Sequence, residues 1–72
     1  MAYIIIADDM KHFIARHFID KYRCCDFISE ASFYDCYLKK MRYTGALTFD
    51  AIEEATSYIE RNALADFFPI PE

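Results

Sequence analysis

The chain opens on Tyr3-Ile-Ile-Ile-Ala7, an unbroken run of aromatic and β-branched residues that predicts a buried strand, closed by the carboxylates Asp8 and Asp9. From Asp9 to Arg23 the pattern supports two forms. As a helix, Asp9 is the N-cap and Met10, Phe13, Ile14, His17, Phe18, Lys21 and Tyr22 fall on one side. Lys21 and Arg23 then stand at the end that the helix dipole favours for cations. As a hairpin, Asp8 to Lys11 is the turn and His12 to Arg16 the returning strand. The apolar pairs Phe13-Ile14 and Phe18-Ile19 spoil period-two alternation, so the helix is the expected form.

Between Ser29 and Thr44, Phe33, Tyr34, Tyr37, Leu38 and Met41 recur at helical spacing, with Ser29 or Ser32 as a cap and Gly45 just beyond as a left-handed stop. A last helix is expected to start at Thr48 as N-cap, with Leu47 stapled onto Ile52, and to end near Asn62. Its apolar stripe is Phe49, Ile52, Ala55, Thr56, Ile59 and Ala63. The N-terminal strand needs a ladder partner: Cys24 to Ile28, the Phe67-Phe68 tail, or the same strand in a second copy. The expected fold class is therefore α+β, with a short N-terminal strand in a small sheet, two to three helices, and a well-capped C-terminal helix.

Composition narrows the class. Seventy-two residues, 56% of them apolar, predict a single compact domain over 1–72. Such a domain buries only about 60% of the surface its unfolded chain exposes. Large side chains compensate: seven Phe, six Tyr, nine Ile and no Val. The thin core makes a homodimer, or a partner that completes the core, a reasonable expectation. Three Cys, two of them adjacent, do not make a disulfide framework and suggest reduced thiols in the cytosol. The run Met1 to Ala7 has no basic leader and is too short for a signal core or a membrane span, so the cytoplasm is the expected location and no membrane is expected. A single Gly excludes Gly-rich phosphate loops and dinucleotide fingerprints.

The net charge of −4 hides an asymmetry. Residues 1–47 carry six acids and seven bases, whereas residues 48–72 carry six acids and only Arg61, a sum of −5. Asp50, Glu53, Glu54 and Glu60 share the polar stripe of the last helix and form a negative patch. That patch is either a solvated face that keeps a small domain soluble or a docking face for a basic groove. The basic counterpart is Lys39, Lys40 and Arg42, flanked by Tyr37 and Tyr43, where rings beside cations suit nucleic acid. Tyr37 shares the apolar stripe with Met41, and three cations at a helix end have a dipole explanation, so nucleic acid is the lesser alternative.

Catalytic constellations are missing from the pattern. His12 and His17 are five apart and point away from each other on either regular structure, and the Cys spacing matches no zinc motif, so no metal or cofactor is expected. Asp8-Asp9 and Glu53-Glu54 are adjacent and diverge, no Cys is marked as activated, and a chain this short has little room for an enclosing pocket. An enzyme is not expected. The Leu47-Thr-Phe-Asp-Ala-Ile-Glu-Glu-Ala55 segment with Tyr58-Ile-Glu60 resembles the closing helix of small proteins encoded by phages and mobile elements. Size, acidity and the lack of catalytic motifs are likewise similar to phage-encoded inhibitors of host defence or host enzymes, anti-CRISPR proteins among them. These inhibitors share no motif, so the resemblance assigns no residue a role. It implies a non-enzymatic module that inhibits or modulates a larger protein; the charge of −5 over residues 48–72 makes Asp50, Glu53, Glu54 and Glu60 the expected contacts with a basic surface, with Phe67 and Phe68 as anchors. A homo-oligomeric structural subunit is the further alternative.

Overall fold

Three consecutive isoleucines, Ile4, Ile5 and Ile6, are enclosed to 3% exposure or less. Successive side chains of a strand point to opposite faces, so this requires a strand covered on both sides. The computed structural model describes residues 2–35 and 40–72. Its elements are β1 (Tyr3–Ala7), β2 (His12–Phe18), β3 (Cys24–Glu30), β4 (Ser32–Asp35), β5 (Lys40–Arg42), α1 (Ile52–Arg61) and β6 (Phe67–Pro71). An antiparallel four-stranded sheet runs in the order β3-β2-β1-β6, and β4 pairs with β5 separately.

Each face of the sheet carries its own cluster. On one side Ile4, Ile6, Phe13 and Ala15 pack with Ala31, Tyr43, Ala46 and Ile70. The Tyr43 ring meets Phe13 edge-on at 5.4 Å, and its hydroxyl donates to the Met10 carbonyl at 3.1 Å. On the other side Ile5, Ile14, Leu47 and Ala55 pack with Tyr3, Phe49, Tyr58, Ile59, Leu64 and Phe67, which seats α1 over β1 and β6.

The expected fold class is corrected: 46% of the described residues are strand, and α1 is the one helix among them. The helix expected over 9–23 is instead the turn from β1 at Asp8 to Lys11 and the returning strand β2, as in the alternative reading, followed by the turn into β3. Phe13-Ile14 defeated the alternation test because β2 is an inner strand that buries Phe13 on one face and Ile14 on the other. Asp9 caps a turn rather than a helix, its Oδ1 accepting from the Lys11 and His12 N–H groups at 2.8 and 3.1 Å.

The helix expected over 29–44 is also replaced. β3 runs to Glu30, Ala31 donates to the Lys11 carbonyl, and Ser32 and Phe33 pair with Arg42 and Met41. Cys36, Tyr37, Leu38 and Lys39 lie outside the described residues. Gly45, at φ +79°, sits in the connection from β5, where its carbonyl accepts from Arg16 N–H at 3.0 Å.

The last helix starts later than Thr48. Phe49 exchanges two backbone bonds with Tyr3, at 2.8 and 2.9 Å, which holds that residue extended. Ala51 takes the N-cap position without a side-chain cap, so the well-capped start is corrected as well. The expected staple is not reproduced in burial: Leu47 is buried in the core, but Ile52 is 44% exposed. The end does fall at Asn62. Ala63 N–H bonds Glu60 O and Leu64 N–H bonds Ile59 O, the paired closure of a Schellman motif, with Ala63 left-handed at φ 52°. The Phe67-Phe68 tail supplies one partner of the N-terminal strand as β6, in register Tyr3↔Pro71 through Ala7↔Phe67. No helix among the described residues is long and apolar enough to cross a membrane.

Candidate interaction surfaces

The exposed side of α1 is the first surface. Amphipathic spacing turns Ala55 to the core and leaves Glu53, Glu54, Ser57, Glu60 and Arg61 in solvent, with Asp50 exposed just before the helix. Phe49, Glu53, Glu54, Ser57 and Arg61 line an open depression on this face. The half-buried Phe49 ring is backed by Tyr58 at 5.5 Å. Arg61 is turned back on the helix, its Nε donating to Ser57 O at 3.4 Å.

A polar tie fixes where this face points. Arg16 on β2 and Asp26 on β3 are cross-strand partners, joined by two bonds of 2.7 and 3.0 Å. Tyr58 of α1 donates its hydroxyl to the other lone pairs of Asp26 Oδ2 at 2.7 Å. The Arg16 guanidinium, and then the Tyr58 hydroxyl, hold the Asp26 carboxyl below the usual carboxylate range. Hydrogen bonding to Asp26 raises the Arg16 pKa in turn. Burial, followed by the Asp26 carboxylate, pushes the Tyr58 hydroxyl up to about 12. No sequence motif marked these three residues, because their separations in the chain reflect strand pairing and helix docking.

The second surface is the far half of the β2–β3 hairpin. Its turn is organised by Asp20, whose Oδ1 accepts from Tyr22 and Arg23 N–H groups and whose Oδ2 meets Arg23 Nε at 2.9 Å. Lys21 Nζ lies 5.0 Å from the Tyr22 ring centre. Phe18, Ile19, Tyr22, Phe27 and Ile28 are all exposed, an apolar concentration that the helical reading hid by assigning Phe18 and Tyr22 to a core stripe.

The other predicted residues are dispersed. Phe67 packs into the cluster under α1, while Phe68 is exposed on the opposite face of the sheet, so neither ring joins the acidic side chains. Lys39 lies outside the described residues, Lys40 begins β5, and Arg42 lines a groove of about 520 Å³ with Ile4, Met41, Tyr43, Thr44, Ile70, Pro71 and Glu72. The dipole account of these cations lapses with the helix. His12 bonds Asp9 Oδ2 at 2.7 Å on one face of β2, and His17 points to the other. Among the described residues no three His, Cys, Asp or Glu side chains converge as metal ligands. Cys24 and Cys25 are free and exposed.

No known family model matches the chain, nor does any curated protein or solved structure.

Proposed function

We propose that this chain is a non-enzymatic binding module that docks on a basic surface of a larger protein through the exposed face of α1. The observation that carries the reading is the set of exposed carboxylates Asp50, Glu53, Glu54 and Glu60 on and beside one helix, which Tyr58 ties to the sheet. A pre-positioned acidic face steers association with a cationic groove and fixes orientation in it. Phe49, on the floor of the same depression, is the apolar anchor beside them. Phe67 and Phe68 are left out, since they do not share this surface.

The resemblance in size and acidity to phage-encoded inhibitors supports a partner among nucleic-acid-processing or defence enzymes, whose channels are basic. Exposed thiols at Cys24 and Cys25 suit a reducing cytoplasm. The test is capture of a partner from the host lysate on immobilised protein, washed at low and high salt, beside the variant Asp50→Ser, Glu53→Ser, Glu54→Ser, Glu60→Ser. The reading requires a partner that high salt releases and that the variant binds at least about tenfold more weakly. Equal capture by the variant refutes the acidic-face role.

A further inference from the structure

The two edges of the sheet are built differently. At β6, Asp8 N–H donates to Asp66 O at 2.9 Å and Glu72 N–H to Ala2 O at 2.8 Å, so even-numbered residues there turn their backbone groups toward β1. Positions 67, 69 and 71 turn outward. Pro69 and Pro71 have no N–H, and the Phe67 N–H is taken by Leu64 O at 3.2 Å. This edge offers no donor to an added strand.

At β3 the phase is set by the bonds from Ala31 N–H to Lys11 O and from Ile19 N–H to Arg23 O. Odd-numbered residues of β3 bond to β2. Cys24, Asp26, Ile28 and Glu30 therefore present their N–H and C=O groups outward, and among the described residues none of these backbone groups is paired. No proline interrupts the strand, and Phe27 and Ile28 are 47% and 55% exposed. Natural edges of this length are normally blunted or covered.

We propose that β3 is the dimer interface: it pairs antiparallel with β3 of a second copy of this chain, with Phe27 facing the partner's Phe27. Charge selects this register from the few that a two-fold axis allows. Centring the pair on Asp26 sets two like carboxylates directly opposite. Centring on Ile28 sets Asp26 against the partner's Glu30, twice. Both arrangements are destabilising. Centring on Cys25 or Ser29 leaves part of the strand unpaired. Centring on Phe27 pairs all seven residues, with Asp26 opposite the partner's Ile28 and Cys24 opposite the partner's Glu30. No like charges meet, and the two Phe27 rings occupy the close, non-hydrogen-bonded position that favours aromatic pairs. Each Asp26 keeps its own Arg16.

Closure follows from the sealed edge. With β6 blocked and β3 open, the four-stranded sheet of each chain offers one edge, so association through that sheet stops at a two-fold dimer instead of growing into a fibre. The axis runs normal to the sheet and sets both α1 helices on one face. They pack over β1 and β6 of their own chains, so the acidic faces stand more than about 20 Å apart at the spacing of paired strands, beyond the screening length at physiological salt. This inference is independent of what the acidic face binds.

The experiment is sedimentation equilibrium of the full chain and two variants, with circular dichroism confirming that each is folded. Ile28→Pro removes an outward N–H and no bond to β2, copying what Pro69 and Pro71 do at the other edge. Phe27→Lys sets like charges together on the axis. The expected result is a wild-type dimer, with the dissociation constant raised roughly a hundredfold in either variant. A wild-type monomer at the highest attainable concentration, or a dimer that neither variant weakens, overturns the proposal. Register is read separately with Cys24, Cys25 and Cys36 replaced by Ser: Phe27→Cys is expected to cross-link on oxidation. Faster cross-linking from Asp26→Cys or Ile28→Cys overturns it.

Discussion

Replacing Tyr58 by Phe removes one oxygen from the tie between helix and sheet and leaves the ring that packs on Phe49 in place. A hydrogen bond to a charged acceptor contributes about 1.5–3 kcal/mol when enclosed. The Asp26 side chain keeps 23% of its exposure, so screening by solvent brings the expected loss nearer 1 kcal/mol. For a 72-residue domain the unfolding entropy is about 0.15 kcal/mol per kelvin, and 1 kcal/mol lowers Tm by about 7 °C. The pH dependence carries the sharper signature. The fold favours the neutral hydroxyl, whose pKa is pushed up to about 12 from its ordinary value near 10. That stabilisation is fully present below pH 10 and is lost as pH rises through 12. Two pKa units correspond to about 3 kcal/mol unscreened, and to about 1 kcal/mol after allowance for partial exposure. Tyr58→Phe has nothing to ionise there, so the melting temperatures of the two proteins converge between pH 10 and 12. Thermal unfolding followed by circular dichroism from pH 7 to 12 measures this. A Tm difference under about 2 °C at pH 7, or a gap that stays constant to pH 12, refutes the argument.

Four further outcomes are expected. Ala63→Gly relieves the Cβ strain of a left-handed C′ residue, at φ 52°, and raises stability by about 1 kcal/mol, read as a higher midpoint in urea. Ala55→Leu overfills the fully enclosed contact between α1 and the sheet and costs about 1–3 kcal/mol in the same assay. The Asp9 carboxyl, held at about 2 by the Lys11 N–H and then by His12, titrates below an ordinary aspartate in carbon-13 NMR; its contribution is present above about pH 4, and is lost as pH falls through 2. Pro69→Ala with Pro71→Ala restores two outward donors at β6, and light scattering is expected to show assemblies larger than a dimer.

Local residue chemistry determined part of this protein. The isoleucine run made β1 a buried strand in any reading, because β-branched residues packed on both faces have few other forms. Asn62 ended the last helix, and three of the six carboxylates of residues 48–72, Glu53, Glu54 and Glu60, fell on exposed positions of α1, since a stripe at helical spacing opposite Ala55 has only solvent to face. The tertiary structure decided the rest. As patterns, the apolar pairs Phe13-Ile14 and Phe18-Ile19 favoured a helix over a half-buried hairpin. The choice came from the ladder that β2 makes with β1 and β3, which no single segment contains. Thr48 lost its cap role to the Phe49–Tyr3 bridge, a contact across more than forty residues. The Arg16–Asp26–Tyr58 tie and the open edge of β3 exist only once strands are in register, because the direction in which a backbone N–H points is set by the partner it bonds on the other side. Side-chain pattern specifies which residues leave water, whereas sheet pairing specifies which backbone groups are still free to bind.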